Sequence, residues 1–375
     1  MQQGKKFFED IEKLRALACI LVLIQHIYWI CPYQSLIDML PKWLSIGSGG
    51  VAVFFAISGF VITLSLSDKL EQMTGSFLEN VFQAKDWLVT FYKKRFFRIF
   101  PVVAVVIAAC WCYLSFCEDL GDLFPVLFKV PFEILFGVFN NTVDYFVGTD
   151  RYHCAGIAPF WTLAVESLFY MIWPLVLLAF KSNSQRAIVS LICGFLFVFV
   201  INPGCHYYLN YNYYWTVDNL GELFFGAFFA FLYKSGFNID CSKLGSKIAV
   251  LLSMFVVWYY PSVMGESRVL YYDTVTSCSA IFSVMCCVFC KGCLDLPGFN
   301  KILSYLGSRS FSFYACQLTL ANFVVWFTNT IYFPKETFSK EGFAQIQLII
   351  FIIALFFVTE ILYRVVERPS RAIVR

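Results

Sequence analysis

Charge is what this chain has least of. Only 14% of its 375 residues are Asp, Glu, Lys or Arg, little more than half the share a soluble domain of this length carries, and only three are histidine. So little charge cannot cover a water-exposed surface, so the chain is expected to live in lipid. A net charge of +3 is too small to mark a nucleic-acid partner, and the basic residues stand in short clusters between apolar runs, not along one stripe. A cleavable leader pattern is also missing. The first apolar run follows a charged FFEDIEK segment, contains Arg15, and ends at IYWICPY without small cleavage-site residues, so it is expected to stay as the first membrane helix. Low-complexity tracts, short repeats and loops long enough for a soluble domain are absent from the sequence. One membrane domain over 1–375, with no appended soluble domain, is the expectation.

Cysteine is not scarce, but most of the fifteen lie inside apolar runs, where thiols act as small hydrophobes. The tightest cluster, CCVFCKGC from Cys286 to Cys293, has no histidine or acid close beside it, so packing is expected there and no metal. Cys31, Cys117, Cys154 and Cys205 fall in or near outside loops, where a disulfide can form.

What is abundant is apolar length. Hydrophobic residues make up 59% of the chain, aromatics 20%, and mean hydropathy is +0.70. A bilayer core needs about 20 mostly apolar residues per helix. Ten runs qualify: 14–31, 46–67, 99–117, 160–180, 187–201, 217–233, 247–264, 273–290, 303–328 and 344–366. They predict an all-α integral membrane protein with about ten transmembrane helices. Phe124 to Phe139 is apolar but carries Pro125, Lys129, Pro131 and Glu133, and is read as a re-entrant or interfacial segment of an outside loop. Positive residues are retained on the cytoplasmic side. With the N terminus inside, 21 of the 28 Lys and Arg fall on that side, which predicts two cytoplasmic termini.

Four clusters place ionisable or small residues within these runs. In LRALACILVLIQH, Arg15 and His26 are eleven residues apart. At 3.6 residues per turn both project from one helix face, separated by about 16 Å along the axis. Ionisable groups at membrane depth normally face a protein interior or a water-filled path. Arg15 alone reads equally well as an interfacial anchor, and His26 as a packing histidine. In FYKKRFFRIFP, Arg95 and Arg98 are spaced i, i+3 with Lys94 beside them, a pattern that suits a phosphate or pyrophosphate but also serves as a positive-inside stop. In FWTLAVESLFYMIWP, Glu166 sits about two turns inside an aromatic helix, where a carboxyl must be partnered, protonated or functional. In GSGGVAVFFAISGF, small residues permit close helix approach or a local break. A histidine and a glutamate toward the outside, with an arginine pair inside, describe a path between an anionic donor and an outer acceptor.

Taken in order, these segments resemble acyltransferase family 3, the integral-membrane O-acyltransferases that decorate bacterial glycans. IEKLRALACILVLIQH resembles the family's first helix, GGVAVFFAISGF its Ser-Gly-Phe motif, and FYKKRFFRIFP its Arg-x-x-Arg followed by proline. FWTLAVESLFYMIWP resembles its Trp-Ser-Leu-x-x-Glu segment, and LGSRSFSFYACQLTL and YRVVERPSR its closing motifs. The resemblance implies transfer of an acyl group, usually acetyl, from cytoplasmic acyl-CoA to a glycan hydroxyl at the outer side of a bacterial inner membrane. It gives His26, Glu166 and Arg15 catalytic roles and Arg95, Arg98 and Lys94 the donor's phosphates. Glu12, Ser58, Gly59, Trp161, Tyr170 and Gln317 support the site. No cofactor is held permanently; acetyl-CoA is a substrate. Glu12 stands where an aspartate is usual, and Gln317 where many members have a histidine. The acceptor is left open among O-antigen, capsule, exopolysaccharide, peptidoglycan and lipid-linked precursors. The chain would complete transfer alone or with a separate periplasmic partner.

The implied chemistry needs a base for the sugar hydroxyl, and His26 is assigned to it, with Glu166 orienting the imidazole or sharing the proton. An acyl-histidine intermediate is the competing version. A transporter or flippase is the rival class, since intramembrane charges also line substrate paths; no corresponding halves with interrupted segments are present in the sequence to favour it. The aromatic stretch Asn202 to Trp215 reads as an interfacial belt or as sugar-stacking surface.

Overall fold

The computed structural model describes residues 2–30, 49–115, 123–137, 156–204, 219–264, 272–328 and 340–374. The residues expected to form a loop disulfide (Cys31, Cys117, Cys154, Cys205) lie outside these, as does the aromatic stretch from 205 to 215. The described chain is helical. Its helices are α1 (Gln2–Ile30), α2 (Gly49–Leu70), α3 (Phe77–Leu114), α4 (Leu123–Leu135), α5 (Trp161–Leu178), α6 (Asn183–Leu196) and α7 (Gly221–Lys234). After them come α8 (Lys243–Met264), α9 (Tyr272–Phe289), α10 (Asn300–Ser308), α11 (Ser310–Phe327), α12 (Lys340–Ile361) and α13 (Arg368–Ala372). Wide π turns extend α6 through Phe197–Ile201 and join α12 to α13 through Leu362–Glu367.

Among the described residues seven helical segments are long and apolar enough to cross a membrane: Gly49–Leu70, Phe77–Leu114, Ala158–Leu178, Asn183–Ile201, Lys243–Pro261, Ser310–Phe327 and Gln345–Ala372. Each matches one of the ten expected runs. The other three runs are also helical, in α1, α7 and α9. However, α7 has only 14 residues, which at 1.5 Å per residue is about 21 Å, short of a hydrocarbon core of about 30 Å. The segment read as re-entrant is helical over the 13 residues of α4, with Pro131 inside it. Large apolar side chains point outward at helical spacing, as lipid-facing stripes do. On α12, Ile349, Ile353, Phe357 and Ile361 form such a stripe, and on α6, Ile188, Ile192 and Phe195 form another.

The chain folds into two compact units, one of Met1–Val22, Ile46–Tyr92 and Leu168–Ser308, the other of Leu23–Ser45, Lys93–Ser167 and Arg309–Arg375. The first is organised by close helix crossings. A Cβ on Gly59 of α2 would stand 1.9 Å from the Leu223 carbonyl oxygen of α7, and one on Gly226 of α7 would stand 2.1 Å from that of Ala56. Only glycine lets these backbones meet, which is the close-approach reading of the small-residue stretch. Trp173 of α5, 2% exposed, donates its indole N–H to Thr63 of α2 at 2.9 Å. Cys241 and Cys290 form a disulfide in this unit, while Cys286, Cys287 and Cys293 are buried free thiols that pack.

The helix ends of the first unit are tied by one side chain. Ser182 and Gln185 form a capping box that starts α6, and this sets Arg186 in its first turn, fully buried. Its Nε donates to Leu177 O at 3.0 Å, Nη1 to Leu70 O at 2.8 Å and to Asn183 Oδ1 at 3.0 Å, and Nη2 to Met73 O at 2.9 Å and Phe180 O at 2.6 Å. All five guanidinium N–H groups are thereby satisfied. Most of the carbonyls they satisfy lie at the C-terminal ends of α2 and α5, where the helix leaves its last acceptors open.

In the second unit α11 is the organising helix, packed against α12. The run expected as one helix over 303–328 is two, because the backbone leaves helical geometry at Arg309 (φ −108°, ψ 4°). Arg309 pairs there with Glu360 of α12 through Nε at 2.5 Å and Nη2 at 3.3 Å, and its Cζ lies 4.5 Å from the Tyr363 ring centre. A charged residue inside an apolar run thus marks a junction between helices.

Candidate active site

The residues expected to form the site divide between the two units. His26, Arg95, Arg98, Lys94, Trp161, Glu166 and Gln317 belong to the second; Glu12, Arg15, Ser58, Gly59 and Tyr170 belong to the first. Arg15 and His26 do share the single helix α1, as their spacing required.

His26 is buried, 7% exposed, and the side chain set against its imidazole is Gln317 of α11. Gln317 is fully buried. It lies within hydrogen-bonding reach of His26, yet neither its amide oxygen nor its amide nitrogen makes an aligned hydrogen bond to the protein. The turns around it on α11 are fastened. Tyr314 donates to Pro159 O at 2.9 Å, and Thr162 of α5 donates to the Tyr314 oxygen at 3.1 Å. Two residues beyond Gln317, Thr319 donates to Gly156 O at 3.1 Å and lies 3.4 Å from Cys110 Sγ of α3. Gly156 makes that approach possible: its φ is +62°, and a Cβ there would stand 2.6 Å from Thr319 Cα.

These contacts fix the register of α5 on α11. Thr319 meets Gly156 while Tyr314 meets Pro159 and Thr162, so the two helices run antiparallel. Glu166, half-buried, is one turn beyond Thr162 on the same face of α5. The register therefore places it toward the Ser310 end of α11, about 10 Å along the axis from the level of Gln317. The side chain shown against the imidazole is a neutral amide, that of Gln317.

Near the Ser310 end of α11 two guanidinium groups, those of Arg371 and Arg98, come within electrostatic reach of each other. Ser312 hydrogen-bonds to Glu367, which is fully buried and also paired with Arg371 one turn on. Arg371 lies close enough to Arg98 of α3 for the two like charges to act on each other. Arg95 and Arg98 are half-buried, while Lys94 is exposed. Ser312 and Gln317 are five residues apart on one helix, about 7.5 Å of axial rise. A short piece of α11 thus links the histidine to a guanidinium cluster. Sequence reasoning saw the Arg95–Arg98 pair but missed Arg371. The Glu367–Arg371 spacing of i, i+4 was the signal that could have found it.

Trp161 is 4% exposed at the start of α5, and Ser58 and Tyr170 are buried in the first unit at 7% and 4%. Gly59 serves the α2–α7 crossing described above. Among the described residues no group of three or more His, Cys, Asp or Glu is arranged to hold a metal ion.

A family model described as an acyltransferase domain, of acyltransferase family 3, matches residues 8–363. The chain belongs to that family. It is 25% identical over 390 residues to the O-acetyltransferase OatA of Staphylococcus aureus strain NCTC 8325 / PS 47, an alignment covering 98% of this chain and 57% of the relative. To the peptidoglycan O-acetyltransferase OatA of Listeria monocytogenes it is 28% identical over 200 residues, 51% of this chain and 28% of that one. A putative O-acetyltransferase of Staphylococcus aureus strain COL is 22% identical over 98% of this chain and 58% of its own length. The chain thus spans little more than half the length of these staphylococcal relatives. No solved structure matches it.

Proposed function

We propose that this acyltransferase-family protein is a multi-pass enzyme of a bacterial cytoplasmic (inner) membrane. It moves an acyl group, most simply acetyl, from acyl-CoA on the cytoplasmic side to a hydroxyl of a cell-envelope glycan on the other side. One observation carries the reading: a buried histidine and a cluster of guanidinium groups are served by the same few turns of α11. The arginine cluster has the chemistry of a polyphosphate site, since like charges held near each other are stabilised by an anion between them. Positive-inside topology puts that end in the cytoplasm, where Arg95, Arg98 and Arg371 take the phosphates of coenzyme A. The acyl-bearing arm then reaches along α11 to His26.

At that point the imidazole removes the proton of the acceptor hydroxyl as its oxygen attacks the thioester carbonyl carbon, and returns the proton to the departing thiolate. The alternative is attack by the imidazole itself, giving an acyl-histidine that the hydroxyl then resolves. The acceptor is proposed as a glycan because the similar proteins carry O-acetyltransferase names, one of them specifying peptidoglycan. A transporter or flippase would use the same buried groups without making a bond.

Purified protein in lipid nanodiscs, given acetyl-CoA labelled in the acetyl group and a panel of envelope glycans, separates the two. Label appearing in base-labile ester linkage on a glycan, with release of free coenzyme A, supports the enzyme. Label that remains in acetyl-CoA with every acceptor, while a glycan crosses in proteoliposomes, supports transport.

A further inference from the structure

The Gln317 carboxamide has one polar neighbour in the resting fold, the His26 imidazole, and no aligned hydrogen bond. Every other polar side chain on the same stretch of α11 is bonded: Ser312 to Glu367, Tyr314 to Pro159, Cys316 to Thr359 and Thr319 to Gly156. Gln317 is as deeply buried as Ser312, yet neither of its amide atoms makes an aligned hydrogen bond. A buried donor or acceptor left without a well-made hydrogen bond carries a free-energy cost, and native proteins rarely keep one without a reason. A leucine of similar size would avoid that cost. The amide sits beside the histidine proposed as base, on a helix fastened on both sides of it. The same site needs one more group: a donor for the negative charge that develops on the thioester oxygen when the hydroxyl adds to its carbonyl carbon.

Resting on the transfer reading above, we infer that Gln317 is a catalytic residue whose side-chain Nε2–H donates to the acyl carbonyl oxygen and stabilises the oxyanion of the tetrahedral intermediate. The step balances without a further reactant. The glycan oxygen bonds to the acyl carbon, its proton passes to His26, and the carbonyl π pair moves onto the oxygen held by Gln317. Collapse re-forms the carbonyl, breaks the carbon–sulfur bond, and the thiolate leaves with the proton from His26. The Oε1 atom of the same amide accepts from the imidazole N–H or from the incoming hydroxyl and so sets the base facing its substrate. A neutral amide suits this position because a carboxylate would repel the developing charge, while an apolar side chain could not answer it. Removing one such preformed donor lowers kcat by about 10²–10³-fold in enzymes that rely on it.

The test uses the full-length protein in nanodiscs with acetyl-CoA and the acceptor that the wild type modifies. Gln317→Glu keeps the shape and removes the amide donor; Gln317→Leu removes both polar atoms; Gln317→His retains an N–H. The expected result is a loss of at least 100-fold in kcat for Gln317→Glu and Gln317→Leu, with KM for acetyl-CoA within about threefold of wild type. Gln317→His should recover to within about tenfold, and Gln317→Leu should unfold at or above the wild-type temperature. Rates within threefold of wild type for Gln317→Leu would overturn the inference while leaving the transfer reading intact. So would a Gln317→Leu protein that loses stability and rate together, because the amide would then be a packing element. Absence of transfer by the wild type with any acceptor strikes the transfer reading itself, whatever the variants do.

Discussion

Arg186 offers the sharpest test of the architecture. The side chain is fully buried, and its five N–H groups meet four backbone carbonyls and the Asn183 amide oxygen at 2.6 to 3.0 Å. Truncation to alanine removes every one of those donors at once and leaves carbonyls at the ends of α2 and α5 facing a cavity. Each bond to a charged donor is worth about 1.5–3 kcal/mol, but the losses do not add, because water can enter the cavity and re-pair the outermost acceptors, those of Phe180 and Asn183. Breaking a buried charged network by removing one member costs about 3–5 kcal/mol, and Arg186→Ala should fall in that range. At about 2–4 °C per kcal/mol, the unfolding midpoint in detergent should drop on the order of 10 °C, read by the temperature at which the protein leaves its monodisperse chromatographic peak. Arg186→Lys keeps the charge but has three donors on one atom, which cannot span acceptors on both sides of a planar guanidinium. It should recover only part of the loss. If Arg186→Ala and wild type unfolded within 2 °C of each other, the clamp would be no more than an interfacial positive charge.

Two further outcomes follow from the geometry. Gly226→Ala sets a methyl group 2.1 Å from the Ala56 carbonyl oxygen, so α2 and α7 must part; a loss of about 1–3 kcal/mol should show as a lower unfolding midpoint, and an unchanged midpoint would contradict the close crossing. Arg371→Gln, and Glu367→Gln which releases Arg371, should each raise KM for acetyl-CoA about tenfold or more with a smaller change in kcat, as should charge removal at Arg95 or Arg98; an unaltered KM in steady-state assays would return these arginines to a topological role.

Much of the fold could be read from hydropathy because lipid imposes it. The seven segments long enough to span each coincide with an apolar run, since a helix crossing a membrane has to be apolar over most of its length. Hydropathy does not see where a helix is broken or continued. The run at 303–328 divides at Arg309, where the backbone leaves helical geometry and the guanidinium pairs with Glu360, and α3 begins at Phe77, far ahead of its apolar part, because a mixed polar segment continues the helix. Residue type could be read for the candidate site, but pairing could not. His26 and Gln317 were both singled out, but that they face each other depends on the packing of α1 and α11. Glu166 was assigned to the imidazole for its chemistry, and the side chain that the packing sets against His26 is Gln317. Arg186 entered the sequence reading only as one more positive charge near a membrane boundary; nothing local in the sequence tells a clamp from an anchor.

The proposed chemistry turns on the buried imidazole of His26. The direct measurement is incorporation of labelled acetyl from acetyl-CoA into glycan by wild type and His26→Ala in matched nanodiscs, with helical content and chromatographic profile confirmed equal. The wild type is expected to transfer label and the variant to show only background incorporation; a His26→Ala protein that transfers at the wild-type rate would remove the imidazole from the chemistry.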